Sequence, residues 1–65
     1  MTLAEIIRKA VTNDDARLAG RIAERLRGDG FKYDAIRDFF KRAAGIDAPE
    51  FDALMYEADN LASRS

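Results

Sequence analysis

The side chains in this sequence that are best suited to chemistry are carboxylates near its end. Five acids and no base lie between positions 47 and 59: Asp47, Glu50, Asp52, Glu57 and Asp59. Paired carboxylates can act as general acid and base, but they need a cleft that moves their pKa values apart. The chain has no histidine and no cysteine, so the commonest bases, nucleophiles and zinc ligands are missing. We therefore expect no enzymatic activity, no cofactor and no metal site.

Hydrophobic periodicity predicts the elements that position these acids. Apolar residues recur at helical spacing over residues 3–12, 14–27, 33–44 and 48–62, and no segment alternates with the period of a strand. The short segment Gly28-Asp29-Gly30 is too short for a phosphate-binding loop, and it predicts a turn between helices. We expect an all-α fold, a compact bundle of about four short helices in a single domain over residues 1–65, with residues 63–65 as a frayed tail.

Capping residues set the predicted helix boundaries. Thr2 and Asp47 each precede a glutamate by three residues, which is the pattern of a capping box. Asn13 is the expected N-cap of the second helix. Gly28 is expected to take the left-handed conformation that commonly ends a helix, and Gly45 is expected to stop the third helix.

The acids of the fourth helix fall on both sides of its apolar stripe. At about 100° per residue, Asp52 and Asp59 share one flank with Tyr56 beside them, and Glu50 and Glu57 share the other. No base within this helix is placed to pair with them. Residues 1–46 hold ten bases and seven acids, net +3, whereas residues 47–65 hold one base and five acids, net −4.

This charge asymmetry has three interpretations. The arginines of the second helix can neutralise the acids across the bundle. Alternatively, the acids form a docking face for a basic partner protein, with Tyr56 as the anchor, because tyrosine suits the centre of an interface. The third interpretation is chance.

A second function class comes from residues 16–46, where two amphipathic helices are joined by a short glycine turn. That is the layout of a helix-turn-helix motif, which would make the protein a small DNA-binding regulator. The phosphate contacts would then be Arg17, Arg21, Lys32, Lys41 and Arg42. Asp34 and Asp38 lie on the same outward side and would repel phosphates. A structural or assembly subunit that forms a homo-oligomer is a further alternative.

In size, helicity and charge layout the chain resembles the small, cysteine-free, single-domain proteins that phages use against host machinery, anti-CRISPR proteins among them. Many of these present acidic surfaces to nucleic-acid-binding sites. The resemblance implies an inhibitor that acts by binding. It assigns no residue.

Together these patterns favour a non-enzymatic protein-binding module that acts in the cytoplasm. No apolar run approaches the roughly 20 residues of a membrane span. The partner would be a basic protein or nucleoprotein surface, with direct DNA binding and a homodimer as the other options. The expected partner-binding residues are Glu50, Asp52, Tyr56, Glu57 and Asp59.

Overall fold

The computed structural model describes residues 1–64, which fold into four α-helices joined by short turns. The helices are α1 (Leu3–Thr12), α2 (Ala16–Gly28), α3 (Tyr33–Ala44) and α4 (Ala48–Arg64), and these residues contain no strand. The all-α prediction is confirmed, and the bounds of α1 and α3 are those predicted.

The fourth helix is longer than its predicted range of 48–62. It continues to Arg64, so Ser63 and Arg64, which the sequence placed in the tail, are helical. The third tail residue, Ser65, lies outside the described residues. At 17 residues α4 is the longest of the four helices, and none in the described part of the chain is long and apolar enough to cross a membrane.

The core between the helices is entirely hydrophobic over residues 1–64. Its largest side chains, Phe40 of α3 and Phe51 of α4, are fully buried and meet edge to face with ring centroids 5.0 Å apart. Such aromatic pairs add to the stability that burial gives. The core therefore fixes how α3 meets α4, which carries the acids.

The helices α2 and α4 pack closely because small residues face each other. A Cβ atom added at Gly20 would lie only 2.8 Å from the Cβ of Ala58. Glycine at this position of α2 thus lets the two backbones approach.

The junction between α1 and α2 differs from the prediction that Asn13 is the N-cap of α2. Asp15 is the N-cap, and its Oδ1 accepts a hydrogen bond from the N–H of Leu18 at 3.0 Å. Asn13 instead ends α1, with Asp14 next to it in the left-handed region at φ 50°. The N–H of Asp15 bonds back to the carbonyl of Ala10, so these residues form a Schellman motif with aspartate in the usual glycine position. Asp14 and Asp15 therefore lie in this turn, and α2 begins at Ala16 and not at the predicted position 14.

The end of α2 corrects the role predicted for Gly28, which is the last residue of the helix and not its left-handed terminator. That role belongs to Gly30, at φ 101°. The N–H groups of Gly30 and Phe31 bond to the carbonyls of Arg27 and Leu26, which makes a second Schellman motif, with its left-handed residue two positions after the predicted one.

The N-caps predicted at Thr2 and Asp47 are confirmed, and α3 stops at Gly45 as predicted. The side chains of Thr2 and Asp47 accept the N–H groups of Glu5 and Glu50, each at 3.2 Å. Gly45 is left-handed at φ 72°, and it bonds back to the last turn of α3.

Candidate protein-docking surface

The five residues predicted to bind a partner lie together on the solvent side of α4. Each of them is exposed, and we call this surface the acidic ridge: Glu50, Asp52, Tyr56, Glu57 and Asp59. Tyr56 keeps 71% of its surface exposed, far more than an aromatic side chain that belongs to the core. The small side chain of Ala53 is also exposed, so it leaves Tyr56 standing clear of the helix.

Ion pairs within residues 1–64 leave the acidic ridge out. Three pairs form there, all local in sequence: Arg25 with Asp29 at 3.5 Å, Arg37 with Asp34 at 3.3 Å, and Arg42 with Asp38 at 3.0 Å. These pairs neutralise charge at the end of α2 and along α3. None of the ridge carboxylates forms an ion pair within residues 1–64.

Two arginines of α2 lie near the ridge, at its Asp59 end. Arg17 and Arg21 border a groove of about 510 Å³ between α2 and α4, and Asp59 borders the same groove. None of these three side chains forms an ion pair in the described part of the chain. Neutralisation across the bundle is thus limited to a weak, solvent-screened attraction at Asp59.

On its α3 side, the ridge is bordered by a tyrosine that the sequence analysis did not single out. Tyr33, the first residue of α3, donates a hydrogen bond from its hydroxyl to Oδ1 of Asp52. Its ring packs edge-on against Phe51, with centroids 5.3 Å apart. Partial burial, followed by the hydrogen bond and the charge of Asp52, raises the pKa of Tyr33 to about 12. Asp59 raises this pKa as well, and the positive charge of Arg37 opposes them.

On its other side, the ridge borders a groove that has acidic but no basic lining residues. Glu50 and Glu57 line this groove of about 280 Å³ together with Asp14, above a floor that includes Ile46 and Leu54. Nowhere in residues 1–64 do three acidic, histidine or cysteine side chains come close enough to hold a metal ion. The carboxylates are therefore spread along the surface and do not converge on one point.

The residues predicted as nucleic-acid contacts do not form one surface of comparable charge. Arg17 and Arg21 lie one turn apart on α2, but Lys32, Lys41 and Arg42 are spread from the N-cap of α3 to its last turn. Arg42 is held by Asp38, and Asp34 and Asp38 are both exposed on α3. On α3, bases and acids therefore alternate, whereas the acidic ridge contains no base.

Comparison with known proteins gives no relative from which a function can be carried over. No protein-family model matches the chain, and neither does any curated protein or any solved structure.

Proposed function

We propose that the chain is a non-enzymatic protein-binding module whose acidic ridge docks into a basic groove of a partner protein. The observation that carries this proposal is the contrast in ion pairing within residues 1–64. The acids of α3 are paired with neighbouring arginines, whereas no acid of the ridge is paired. Unpaired carboxylates on one face attract a positively charged partner from a distance and fix its orientation.

The aromatic side chains of the ridge supply the contacts that charge alone does not give. Tyr56 is large, has few rotatable bonds and stands 71% exposed at the centre of the acids. Side chains of this type commonly dominate the binding energy of an interface. Tyr33 lies at the edge of the same surface, where it orients Asp52.

A groove that binds nucleic acid is the partner surface that fits best. Such grooves present lysine and arginine to phosphates, and much of their affinity comes from that neutralisation. Carboxylates at Asp52 and Asp59, about 10 Å apart along the helix, would occupy the same basic side chains. In its strongest form the proposal is an inhibitor of the anti-CRISPR kind, which competes with nucleic acid for its target.

The test is a capture experiment from a nuclease-treated host lysate with three forms of the chain. They are the wild type, the ridge variant Glu57→Lys/Asp59→Lys, and the control variant Glu24→Lys/Asp38→Lys, which makes the same change in net charge on α2 and α3. Asp52 is left intact because its hydrogen bond to Tyr33 would complicate the result.

We expect the wild type and the control to retain one basic protein. Duplex DNA or RNA should release this protein. Its retention should fall as salt is raised, because salt screens exposed charges. Equal retention by the ridge variant at physiological salt would rule out the acidic ridge as the docking surface.

A helix-turn-helix DNA binder is the second candidate. Arg17 and Arg21 favour it, since they are neighbours on α2 and neither is in an ion pair in the part of the chain that the structure describes. A shift of duplex DNA by the purified chain, lost in Arg17→Ala/Arg21→Ala and kept in the ridge variant, would favour this candidate over ridge docking.

A further inference from the structure

An apolar groove runs between α1 and α2. It measures about 530 Å³ and is lined by five aliphatic side chains and three charged ones: Leu3, Ile6, Leu18, Ile22, Leu26, Arg21, Arg25 and Asp29. Ile22 and Leu26 belong to the buried core, but Leu3 at the mouth is 40% exposed. The groove is therefore an apolar depression whose floor includes buried core side chains and whose exposed apolar surface includes Leu3.

The rim of this apolar groove is positively charged. Arg25 is paired with Asp29 at 3.5 Å, whereas Arg21 forms no ion pair among residues 1–64. If two copies met groove to groove, their arginine-bearing rims would face each other, and like charges brought together in an interface oppose association. A negatively charged occupant suits the groove better.

We propose that the apolar groove receives the acidic ridge of a second copy of this chain, so that the protein associates with itself head to tail. Tyr56 of one copy fills the groove of the next. Glu57 and Asp59 then face the rim formed by Arg21 and Arg25. The proposal rests on the acidic ridge defined for the proposed function, but it does not require the basic partner.

Two observations support this choice of occupant. First, the surfaces are complementary in charge, since Arg21, Arg25 and Asp29 give the rim of the groove a net charge of +1, whereas the ridge carries four carboxylates. Second, a domain of this size buries only about 60% of its unfolded surface, so association that covers Leu3 and Tyr56 adds apolar burial that a single copy lacks.

Head-to-tail contact makes an assembly of a particular kind. The two surfaces differ, so each pair keeps one groove and one ridge free for further copies, and the contact generates open chains or rings. A neighbouring copy also covers the acidic ridge. A basic partner would then compete with self-association and dissolve the assembly.

The test uses sedimentation velocity on the full chain over a range of concentrations at low salt. The groove variant is Arg21→Glu/Arg25→Glu, and the ridge variant is Glu57→Lys/Asp59→Lys. The wild type should grow beyond a dimer as concentration rises, and each variant alone should remain a monomer. An equal mixture of the two variants should associate beyond a dimer, because the unchanged ridge of one meets the unchanged groove of the other and the two altered surfaces, with their charges exchanged, also attract. A chain with all four changes should associate again, because its charges are exchanged.

Three results would overturn the proposal: a wild type that stays monomeric throughout, a wild type that stops at a dimer, or a mixture of the variants that fails to pair. Circular dichroism of each variant shows whether it is folded. The groove variant keeps the ridge, so it should still capture the basic partner. A wild type that captures a basic partner but never self-associates therefore counts against this proposal alone, and a wild type that self-associates but captures no basic partner counts against the proposed function alone.

Discussion

The hydroxyl of Tyr33 donates a hydrogen bond to Oδ1 of Asp52 and so joins the start of α3 to the early part of α4. The tyrosine ring is held at the same time by its edge contact with Phe51. One carboxylate of the acidic ridge is therefore oriented by the fold. Glu57 and Asp59, within residues 1–64, accept no such bond from a side chain.

The Tyr33–Asp52 contact predicts an unusual titration. In Tyr56→Phe, Tyr33 is the one tyrosine left in the chain, so the absorbance of tyrosinate reports it alone. We expect a midpoint of about 12, against 10.0 for an ordinary tyrosine. Adding Asp52→Asn removes the negative charge that opposes ionisation, and the midpoint should fall. A midpoint unchanged by Asp52→Asn would contradict the contact.

The same pKa predicts how stability varies in alkali. The pKa of Tyr33 is higher in the folded chain than its ordinary value of 10.0, so the folded state holds a proton that the unfolded state releases. The stability from this difference is fully present below pH 10 and is lost as pH rises to about 12. Urea denaturation should show this fall in the wild type and a smaller one in Tyr33→Phe. Equal falls in the two proteins would exclude Tyr33 as the source.

The buried aromatic pair predicts which truncation unfolds the chain. Phe51→Ala should cost about 3 to 5 kcal/mol, because it empties a fully buried site. A chain of this length has a total stability of roughly 3 to 10 kcal/mol, so much of the variant should be unfolded at room temperature. Phe31→Ala is the control, since Phe31 is 40% exposed, and it should cost only about 1 to 2 kcal/mol. Thermal melts followed by circular dichroism compare them, and similar melting temperatures would contradict the core described.

The close approach of α2 and α4 predicts a non-additive pair of substitutions. Alanine at a helical glycine normally adds stability, but at Gly20 its Cβ would lie 2.8 Å from that of Ala58. We expect Gly20→Ala to cost about 1 to 3 kcal/mol through this clash. In an Ala58→Gly background the same change should become stabilising. An equal effect in both backgrounds, measured by urea denaturation, would mean that the helices do not approach here.

The two glycines of the α2–α3 turn should respond oppositely to alanine. Gly28 is helical and has open space where a Cβ would lie, so Gly28→Ala should add about 0.5 to 1 kcal/mol. Gly30 has φ 101°, a conformation that side chains disfavour, so Gly30→Ala should cost about 1 to 3 kcal/mol. The reverse order of stabilities would mean that Gly28, and not Gly30, is the left-handed residue that terminates α2.

Local signals in the sequence were sufficient for most of the fold. The apolar period and the caps at Thr2 and Asp47 predicted the starts of α1 and α4, and Gly45 predicted the end of α3. The junction of α1 and α2 was harder because Asn13 and Asp15 are both good caps, and a left-handed aspartate such as Asp14 is uncommon. The sequence alone does not show which of the two caps is compatible with the turn that joins α1 to α2.

The candidate site was predictable only as far as a single helix determines it. The helical wheel was enough to place the acids of α4 on its flanks. It could not show whether arginines of α2 reach them, because that depends on how closely the helices pack at Gly20 and Ala58. The contact between Tyr33 and Asp52 joins residues 19 apart in sequence, and no local pattern indicates it.

Double-mutant cycles on the purified chain measure whether the fold leaves Asp59 of α4 without an ion-pair partner. Asp59→Asn is combined in turn with Arg17→Gln and with Arg21→Gln, the bases that share its groove. Urea denaturation at low salt gives the free energy of unfolding for each protein, and the coupling energy follows. The account predicts a coupling below about 0.5 kcal/mol in both cycles, as for weak exposed charges. A coupling above about 1 kcal/mol in either cycle would show that the fold itself uses Asp59, and it would contradict a ridge kept free for a partner.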